Sequence, residues 1–145
     1  MTANRRSSRL QPVARLAVER EQQASRLLAE RRQLLEQNLR QLQELESYRK
    51  EYLQRLQEAA RGGIGATRLR HYHGFVGKLS EAIARQRQVA EDAQRELDAA
   101  RQAWLQSRNR VKMVDSVIVS AQSEEQRQEQ RREQCETDER ARRGS

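Results

Sequence analysis

Apolar residues recur at alternating intervals of three and four through the second half of the chain. The pattern runs from Leu69 to Ala121, and fourteen of its sixteen positions are apolar. Such a repeat lays one apolar stripe along a helix, and that stripe must be covered by another helix. The pattern therefore predicts a long helix over residues 68–121. Its expected seam residues are Leu69, Tyr72, Val76, Ile83, Leu97, Trp104, Val111, Val114 and Ile118.

The first half of the chain carries a broader apolar stripe with the same period. One register of the repeat places at its core positions Leu10, Val13, Ala17, Ala24, Leu27, Leu34, Leu45, Tyr48, Tyr52 and Ala59. The neighbouring e position of that register holds Leu28, Leu35, Leu42 and Leu56. A face this wide can contact more than one neighbour. Because proline is tolerated in the first turn of a helix, Pro12 favours a start near this residue, and we expect a helix over residues 10–61.

Glycine is concentrated between the two predicted helices, in residues 62–67. Two long helices with apolar stripes and a short linker pack most simply by folding back on each other. The predicted fold is therefore all-α, an antiparallel two-helix coiled-coil hairpin. Either Gly62 or Gly63 can take the left-handed conformation that ends the first helix, and Thr67 can cap the second.

The two ends of the chain are polar. Residues 1–9 are expected to form a basic, disordered tail. Residues 122–145 have almost no apolar side chain, but they contain acid-before-base pairs four residues apart, such as Glu136 with Arg140. Pairs of this kind support a lone helix. We expect a polar helical extension and tail that is frayed and solvated or becomes ordered on a partner.

Composition excludes several classes of protein. Only 3% of the residues are aromatic and 34% are charged, which does not suit a thick globular core. The regular apolar period argues against a disordered charged segment. The chain contains no long apolar run and no apolar stretch at its N-terminus, so a membrane span and a secretory signal are not expected. A cytoplasmic location follows as the expectation.

The net charge of +8 raises the alternative of a basic coiled-coil protein that binds nucleic acid or serves as a scaffold. Five basic residues cluster near the glycine-rich segment, namely Arg68, Arg70, Lys78, Arg85 and Arg87. Elsewhere the predicted helices carry almost as many acids as bases, whereas a non-specific phosphate binder is normally basic along a whole face. We therefore expect no nucleic-acid partner, and direct membrane attachment is disfavoured because the apolar residues are needed between the helices.

No arrangement of residues predicts catalysis. His71 and His73 are two residues apart, so on a helix they point to opposite sides and cannot easily share a metal ion. Cys135 is the only cysteine, and its neighbours are polar. There is no phosphate-binding loop and no pairing of a nucleophile with a base. We predict a protein that is not an enzyme and that needs no cofactor or metal.

The stretch HYHGFVG has two interpretations. Gly74 and Gly77 lie inside a predicted helix, where each costs about 1 kcal/mol relative to alanine. Small residues could allow the two helices to approach closely. Alternatively, a partner could bind here, with Tyr48, Tyr52, Phe75 and Leu79 as anchors, because aromatic side chains dominate binding energies.

Several motifs in their order resemble the flagellar export protein FliJ family. They are an entry motif at Leu10, Val13 and Ala17, LESYRKEY at residues 45–52, the glycine-containing loop, the block of Leu69, Tyr72, Phe75, Leu79, Ala82 and Ile83, and the pair Arg101 and Trp104. The similarity spans residues 10 to about 140. Each motif is loose, but the order, the spacing and the total length together are fairly specific.

The resemblance implies a coiled-coil component of the flagellar type III export apparatus, needed for flagellum biogenesis and motility and similar in shape to the central stalk of rotary ATPases. It implies binding to and stimulation of the export ATPase, contact with the membrane protein of the export gate, and cycling of export chaperones. Its location would be the cytoplasmic face of the inner membrane, reached through these partners. The equivalent stalk of a non-flagellar type III secretion system is the alternative.

The resemblance also implies a gate-contacting surface. In this chain it comprises Gln41, Leu45, Tyr48, Tyr52, Phe75, Leu79, Ala82 and Gln86. The family often has histidine at the last of these positions. The end that enters the ATPase ring would be the region of the two termini.

Overall fold

The structure, a computed structural model, describes residues 5–144. In this range the chain forms two α-helices, α1 (Arg6–Arg61) and α2 (Ala66–Arg143), and no strand. Both helices consist mainly of Ala, Leu, Glu, Gln and Arg, which lose little conformational freedom in a helix. The predicted all-α fold of two long helices packed on each other is confirmed. Neither helix contains a stretch apolar enough to cross a membrane.

The contacts divide the chain into two compact units. We call residues 26–101, which include the connection between the helices, the hairpin unit. Residues 5–25 and 102–144 make up the terminal unit. Each unit contains a segment of α1 and a segment of α2.

In the hairpin unit the two helices run antiparallel. Arg31 contacts Glu96, Asn38 contacts Gln86, and Arg49 contacts Ser80, so residue numbers on α2 fall as those on α1 rise. The core between the helices is continuous and apolar. Its buried side chains are Leu28, Leu35, Leu56, Leu79, Ile83, Ala90, Ala93, Leu97 and Ala100.

The terminal unit repeats this antiparallel pairing with fewer buried apolar residues. Ser7 contacts Glu125, and Glu21 contacts Trp104. Ala17, Ile118 and Ala121 are its buried apolar side chains. Polar contacts therefore form a larger share of the packing here than in the hairpin unit.

The predicted seam of α2 lies against α1 throughout its length. All sixteen positions of the three-and-four repeat are buried or half-buried, including the polar Gln86 and Ser107. Among the named seam residues, Ile83, Leu97 and Ile118 are buried, and the other six are half-buried. An unbroken stripe on one helix is covered by one neighbour, as its period requires.

The register predicted for α1 is wrong at four of its ten core positions. The leucines assigned to the e position line the core: Leu28, Leu35 and Leu56 are buried, and Leu42 is half-buried. Four residues assigned to the core are exposed instead, namely Val13, Leu27, Leu34 and Tyr48. Since α1 has three adjacent apolar columns and α2 covers only two, one column remains in solvent.

The connection between the helices is shorter than predicted. Only residues 62–65 are non-helical. Gly63 has a φ of 77°, the left-handed conformation that commonly ends a helix and that glycine adopts without strain. The prediction that Thr67 caps α2 is wrong, because α2 begins at Ala66 and the carbonyl of Gly65 accepts the N–H of Leu69 at 3.0 Å.

α1 begins earlier than the sequence predicts, and the helical extension expected after residue 121 is present. The N-terminal tail was expected to reach residue 9, but α1 begins at Arg6. Residues 1–4 of that predicted tail lie outside the described residues, as does Ser145. At the other end, α2 continues without interruption through the polar extension to Arg143, and every described residue after Glu125 is exposed.

The interpretation of Gly74 and Gly77 as close-approach positions is wrong. A Cβ atom added to either glycine would meet no other atom within 4 Å. Both residues lie on an exposed surface of α2. Packing between the helices therefore does not require glycine at these positions.

Candidate functional site

Four of the five aromatic residues of the chain form one cluster in the hairpin unit. The ring of Tyr52 lies 4.6 Å from that of Phe75 and 5.3 Å from that of Tyr72, measured between centroids. The ring of Tyr48 lies 6.2 Å from that of Phe75 in an edge-to-face arrangement. Distances of this kind are favourable for aromatic pairs. The cluster joins α1 to α2 close to the connection.

Helix spacing explains how the cluster forms. Tyr48 and Tyr52 are four residues apart on α1, while Tyr72 and Phe75 are three residues apart on α2. Residues at these intervals lie on one face of a helix, so each helix presents two rings to the other. Tyr52 and Tyr72 occupy half-buried core positions.

The outer edge of the cluster is open to solvent. Tyr48 retains 47% of its exposure and Phe75 retains 36%. Contact with neighbouring rings already restricts these aromatic side chains, so they lose little conformational entropy when a partner covers them. Large aromatic residues of this kind often dominate binding energies. This edge can therefore bind a protein surface.

The terminal unit has its own exposed apolar side chains. Met113 is 68% exposed and Val119 is 63% exposed. Leu105 and Val117 on the same helix, and Val13, Leu16 and Val18 on α1, are also exposed. The terminal unit thus has exposed apolar side chains on both helices that could contact a partner.

A carboxylate from α2 caps the first turn of α1. The Ser7 hydroxyl donates a hydrogen bond of 2.7 Å to Glu125 Oε2, and the Ser7 N–H donates one of 3.1 Å to Oε1. These two hydrogen bonds, with a smaller contribution from the charge of Arg5, lower the pKa of Glu125 below its ordinary value. Arg5 also contacts Glu129 at 3.7 Å. The start of α1 is thus fixed by charge as well as by packing.

The described residues do not bring together a metal site. No group of three or more His, Cys, Asp or Glu side chains could hold a metal ion in residues 5–144. His71 and His73 are both exposed, and so is Cys135.

Comparison with known protein families identifies the family of this chain. The model of the family described as "Flagellar FliJ protein" matches residues 6–145, essentially the whole chain. The chain belongs to the FliJ family. Members of this family are components of the flagellar export apparatus, with a structural and not a known enzymatic role. Comparisons with curated proteins and with solved structures give no match.

The eight residues that FliJ resemblance assigns to gate contact all lie in the hairpin unit, but they differ in exposure. Gln41, Tyr48 and Phe75 are exposed, whereas Leu79 is buried between the helices. The remaining four are half-buried, namely Leu45, Tyr52, Ala82 and Gln86. A partner can reach the exposed residues directly, while the others support them from beneath.

Gln86, where the FliJ family often has histidine, is engaged within the hairpin unit. Its Nε2 donates a hydrogen bond of 3.0 Å to the carbonyl oxygen of Asn38 and lies 3.2 Å from the Asn38 Oδ1 atom. The side chain therefore satisfies a polar position inside the apolar seam. This contact gives Gln86 a role in pairing the two helices.

Two features of this FliJ-family chain were missed in the sequence. The carboxylate cap was missed because Glu125 and Ser7 are 118 residues apart, and no local motif links them. The uncovered apolar column of α1 was missed because Val13, Leu27, Leu34 and Tyr48 were assigned to the core. The sequence does indicate such a column, because the narrow apolar stripe of α2 cannot cover an α1 face that is three columns wide.

Proposed function

We propose that this chain couples the export ATPase to the export gate of the flagellar export apparatus without catalysing a reaction itself. The hairpin unit binds the gate protein and the terminal unit binds the ATPase. The chain acts at the cytoplasmic face of the inner membrane through these partners, and it also takes part in cycling export chaperones. Membership of the FliJ family supports the flagellar system over a non-flagellar type III system.

The exposed contact between Tyr48 and Phe75 carries the gate-binding part of this proposal. Tyr48 comes from α1 and Phe75 from α2, so a partner at this point contacts both helices at once. Both rings remain partly exposed within the described residues. Gln41 and Ala82 lie one heptad away on the respective helices and extend the same surface.

The exposed apolar side chains of the terminal unit support ATPase binding. Met113 and Val119 have the two largest exposed fractions among the apolar residues given above. Surfaces of this kind are commonly covered by a partner in the assembled state. The polar end of α2 adds many charged groups, which steer association more than they add affinity.

Substitution of Phe75 tests gate binding. Phe75→Ala should weaken binding of the purified gate protein at least about tenfold, because truncating an aromatic anchor commonly costs more than 1 kcal/mol. Leu39→Ala is the matched control, since Leu39 is exposed on the hairpin unit but lies outside the cluster. Unchanged affinity of the Phe75 variant, with helicity preserved, contradicts this surface assignment.

Stimulation of ATP hydrolysis tests the proposed binding of the terminal unit to the export ATPase. Adding this protein should accelerate hydrolysis by its cognate export ATPase, and the double substitution Met113→Ser with Val119→Ser should reduce the effect. Leu39→Ser serves as the control on the other unit. Absence of stimulation by the unmodified protein, together with affinity for RNA that falls steeply with salt, would favour the nucleic-acid alternative.

A further inference from the structure

One side of the hairpin unit carries exposed apolar side chains from both helices. Because the repeat is seven residues long, residues seven apart on α1 and α2 stay on one side of the helix pair. Starting from the contact of Tyr48 with Phe75, one step along the antiparallel helices reaches Gln41 and Ala82. The next step reaches Leu34 and Val89. These positions define what we call the apolar side.

Large exposed apolar side chains lie at both ends of the apolar side, and the exposed Gln41 and the half-buried Ala82 lie between them. Leu34 is 38% exposed and Val89 is 45% exposed, similar to the two aromatic residues at the other end. A further step brings Leu27 opposite Glu96, where the 2.9 Å contact of Glu96 with Arg31 ends the apolar run. The surface therefore continues two heptads beyond the aromatic cluster to which gate binding is assigned.

The opposite side of the same helix pair carries polar contacts as well as the exposed Leu39. Glu46 lies two residues before Tyr48 and Arg87 two residues before Val89, so both point away from the apolar side. They form a salt bridge of 3.1 Å with each other. Arg49 also donates a hydrogen bond of 3.0 Å to Ser80. Only the apolar side thus presents large exposed apolar side chains from both helices, as a buried interface does.

The two outer edges of the apolar side carry opposite charges. On α1, Glu44 and Glu51 flank Tyr48. On α2, Lys78 and Arg85 follow Phe75 and Ala82 by three residues. All four side chains are exposed and form no salt bridge within residues 5–144. An occupant of this surface must match an acidic edge and a basic edge together.

We propose that this apolar side binds a second copy of the same chain. A two-fold axis parallel to the helices would place α1 of one copy on α2 of the other, with Leu34 against Val89 of the second copy. Glu44 then faces Lys78 of the second copy, and the symmetry makes each such contact twice. The result is a four-helix bundle in which every neighbouring pair of helices is antiparallel.

Charge selects this arrangement over the other face-to-face one. A two-fold axis perpendicular to the helices would place α1 on α1, so that Glu44 and Glu51 meet a second acidic edge and Lys78 and Arg85 meet a second basic edge. Like charges facing each other across an interface oppose association. At the far end of the favoured arrangement Glu30 meets Asp92 of the second copy, which limits the contact to the three heptads of the apolar side.

The area of the surface fits a reversible dimer. Three heptads of helix are about 30 Å long and two adjacent helices are about 20 Å wide, so each copy contributes a face of roughly 600 Å². Stable interfaces bury about 1,200–2,000 Å² in total, which places this one at the lower limit. The dimer would also cover Tyr48 and Phe75, so self-association and gate binding would exclude each other.

Sedimentation equilibrium of the full chain tests the dimer. At low salt, and up to roughly 500 µM because an interface this small is expected to be weak, the unmodified protein should show a monomer–dimer equilibrium. Leu34→Glu with Val89→Glu should raise the dimer Kd at least about 100-fold, because it places charges in an apolar contact. Leu39→Glu changes a leucine that is more exposed than Leu34 and lies outside the apolar side, so it should leave the Kd unchanged.

Charge reversal tests the arrangement of the two copies. Glu44→Lys alone and Lys78→Glu alone should each weaken the dimer about tenfold or more, since symmetry doubles each repulsion. The two substitutions together should restore the Kd of the unmodified protein. If the two copies associated through apolar contacts without pairing Glu44 with Lys78, the double substitution would not restore the Kd.

Three results would overturn the proposal. They are a monomer at every concentration, a dimer that the Leu34 and Val89 substitutions do not weaken, and a failure of the double charge reversal to recover association. Circular dichroism of each variant should show unchanged helicity, which separates loss of association from loss of folding. Gate binding is measured separately with Phe75→Ala, so failure of one proposal does not decide the other.

Discussion

Ser7 and Glu125, which are 118 residues apart in sequence, are joined by two hydrogen bonds that use both oxygens of one carboxylate. The first N–H groups of a helix have no partner within the helix, and the positive end of the helix dipole favours a negative charge beside them. Glu125 therefore does for α1 what a capping side chain at the start of a helix normally does. It acts from the opposite helix.

Removing this cap should loosen the start of α1. We expect Glu125→Ala to lower hydrogen-exchange protection in the first two turns of α1 by about threefold to tenfold, because a hydrogen-bonded carboxylate is lost. Glu129→Ala is the control on the same helix, since Glu129 makes only the longer contact with Arg5. Protection in the hairpin unit should not change. Equal effects of the two variants would show that Glu125 has no special role.

The same carboxylate predicts a dependence of local stability on pH. The pKa of Glu125 is lowered in the folded chain, so the folded state holds this proton less tightly than the unfolded state. The stabilisation that Glu125 gives to the start of α1 is therefore complete above the ordinary pKa of glutamate. It is lost as the pH falls through the lowered pKa of the folded state. Exchange protection of the first turns of α1 should decrease on acidification. Glu125→Gln should remove that component of the pH profile.

Trp104 should stabilise the terminal unit through its indole N–H. This group donates a hydrogen bond of 3.0 Å to Glu21, and the Arg108 guanidinium lies 5.4 Å from the ring centroid. Trp104→Phe keeps an aromatic ring but removes the donor, so the free energy of unfolding in urea should fall by about 1 kcal/mol. Glu21→Gln retains an acceptor and should cost less. An unchanged free energy for Trp104→Phe would contradict this account.

The glycines of α2 and of the connection should respond in opposite directions. Gly74→Ala and Gly77→Ala should each raise the free energy of unfolding by about 0.5–1 kcal/mol, because a methyl group meets open space and alanine favours the helix. Gly63→Ala should lower it by about 1 kcal/mol, because its φ of 77° strains a residue with a side chain. Urea unfolding followed by circular dichroism measures all three. Destabilisation by Gly77→Ala would indicate a contact that this geometry lacks.

The sequence predicts α2 better than α1 for a physical reason. A narrow stripe such as that through Ile83, Leu97 and Ile118 can be buried in only one way. The stripe of α1 has three apolar columns, at the a, d and e positions of the repeat. A core formed by columns a and d and a core formed by columns a and e both fit a seven-residue period. Only the position of the opposing helix decides between Leu34 and Leu35 as the core residue, and that position is not encoded locally.

The candidate site was partly predictable by the same reasoning. The spacing of Tyr48, Tyr52, Tyr72 and Phe75 near a glycine-rich turn indicates that the rings meet once the helices fold back. The bond of Gln86 to Asn38 and the cap on Ser7 depend on how far one helix is displaced along the other. Such displacements follow from the packing of the whole helix pair, which is why local sequence patterns did not reveal them.

The solvated end of α2 has a consequence for how this protein responds to heat. From residue 126 to residue 143 every turn is surrounded by water and draws on no apolar contact with α1. Isolated helical stretches of this length are marginal, so these turns should unwind gradually on warming while the paired segments stay intact. In calorimetry the heat capacity should then rise gradually before any cooperative transition, because the unwinding of these turns absorbs heat.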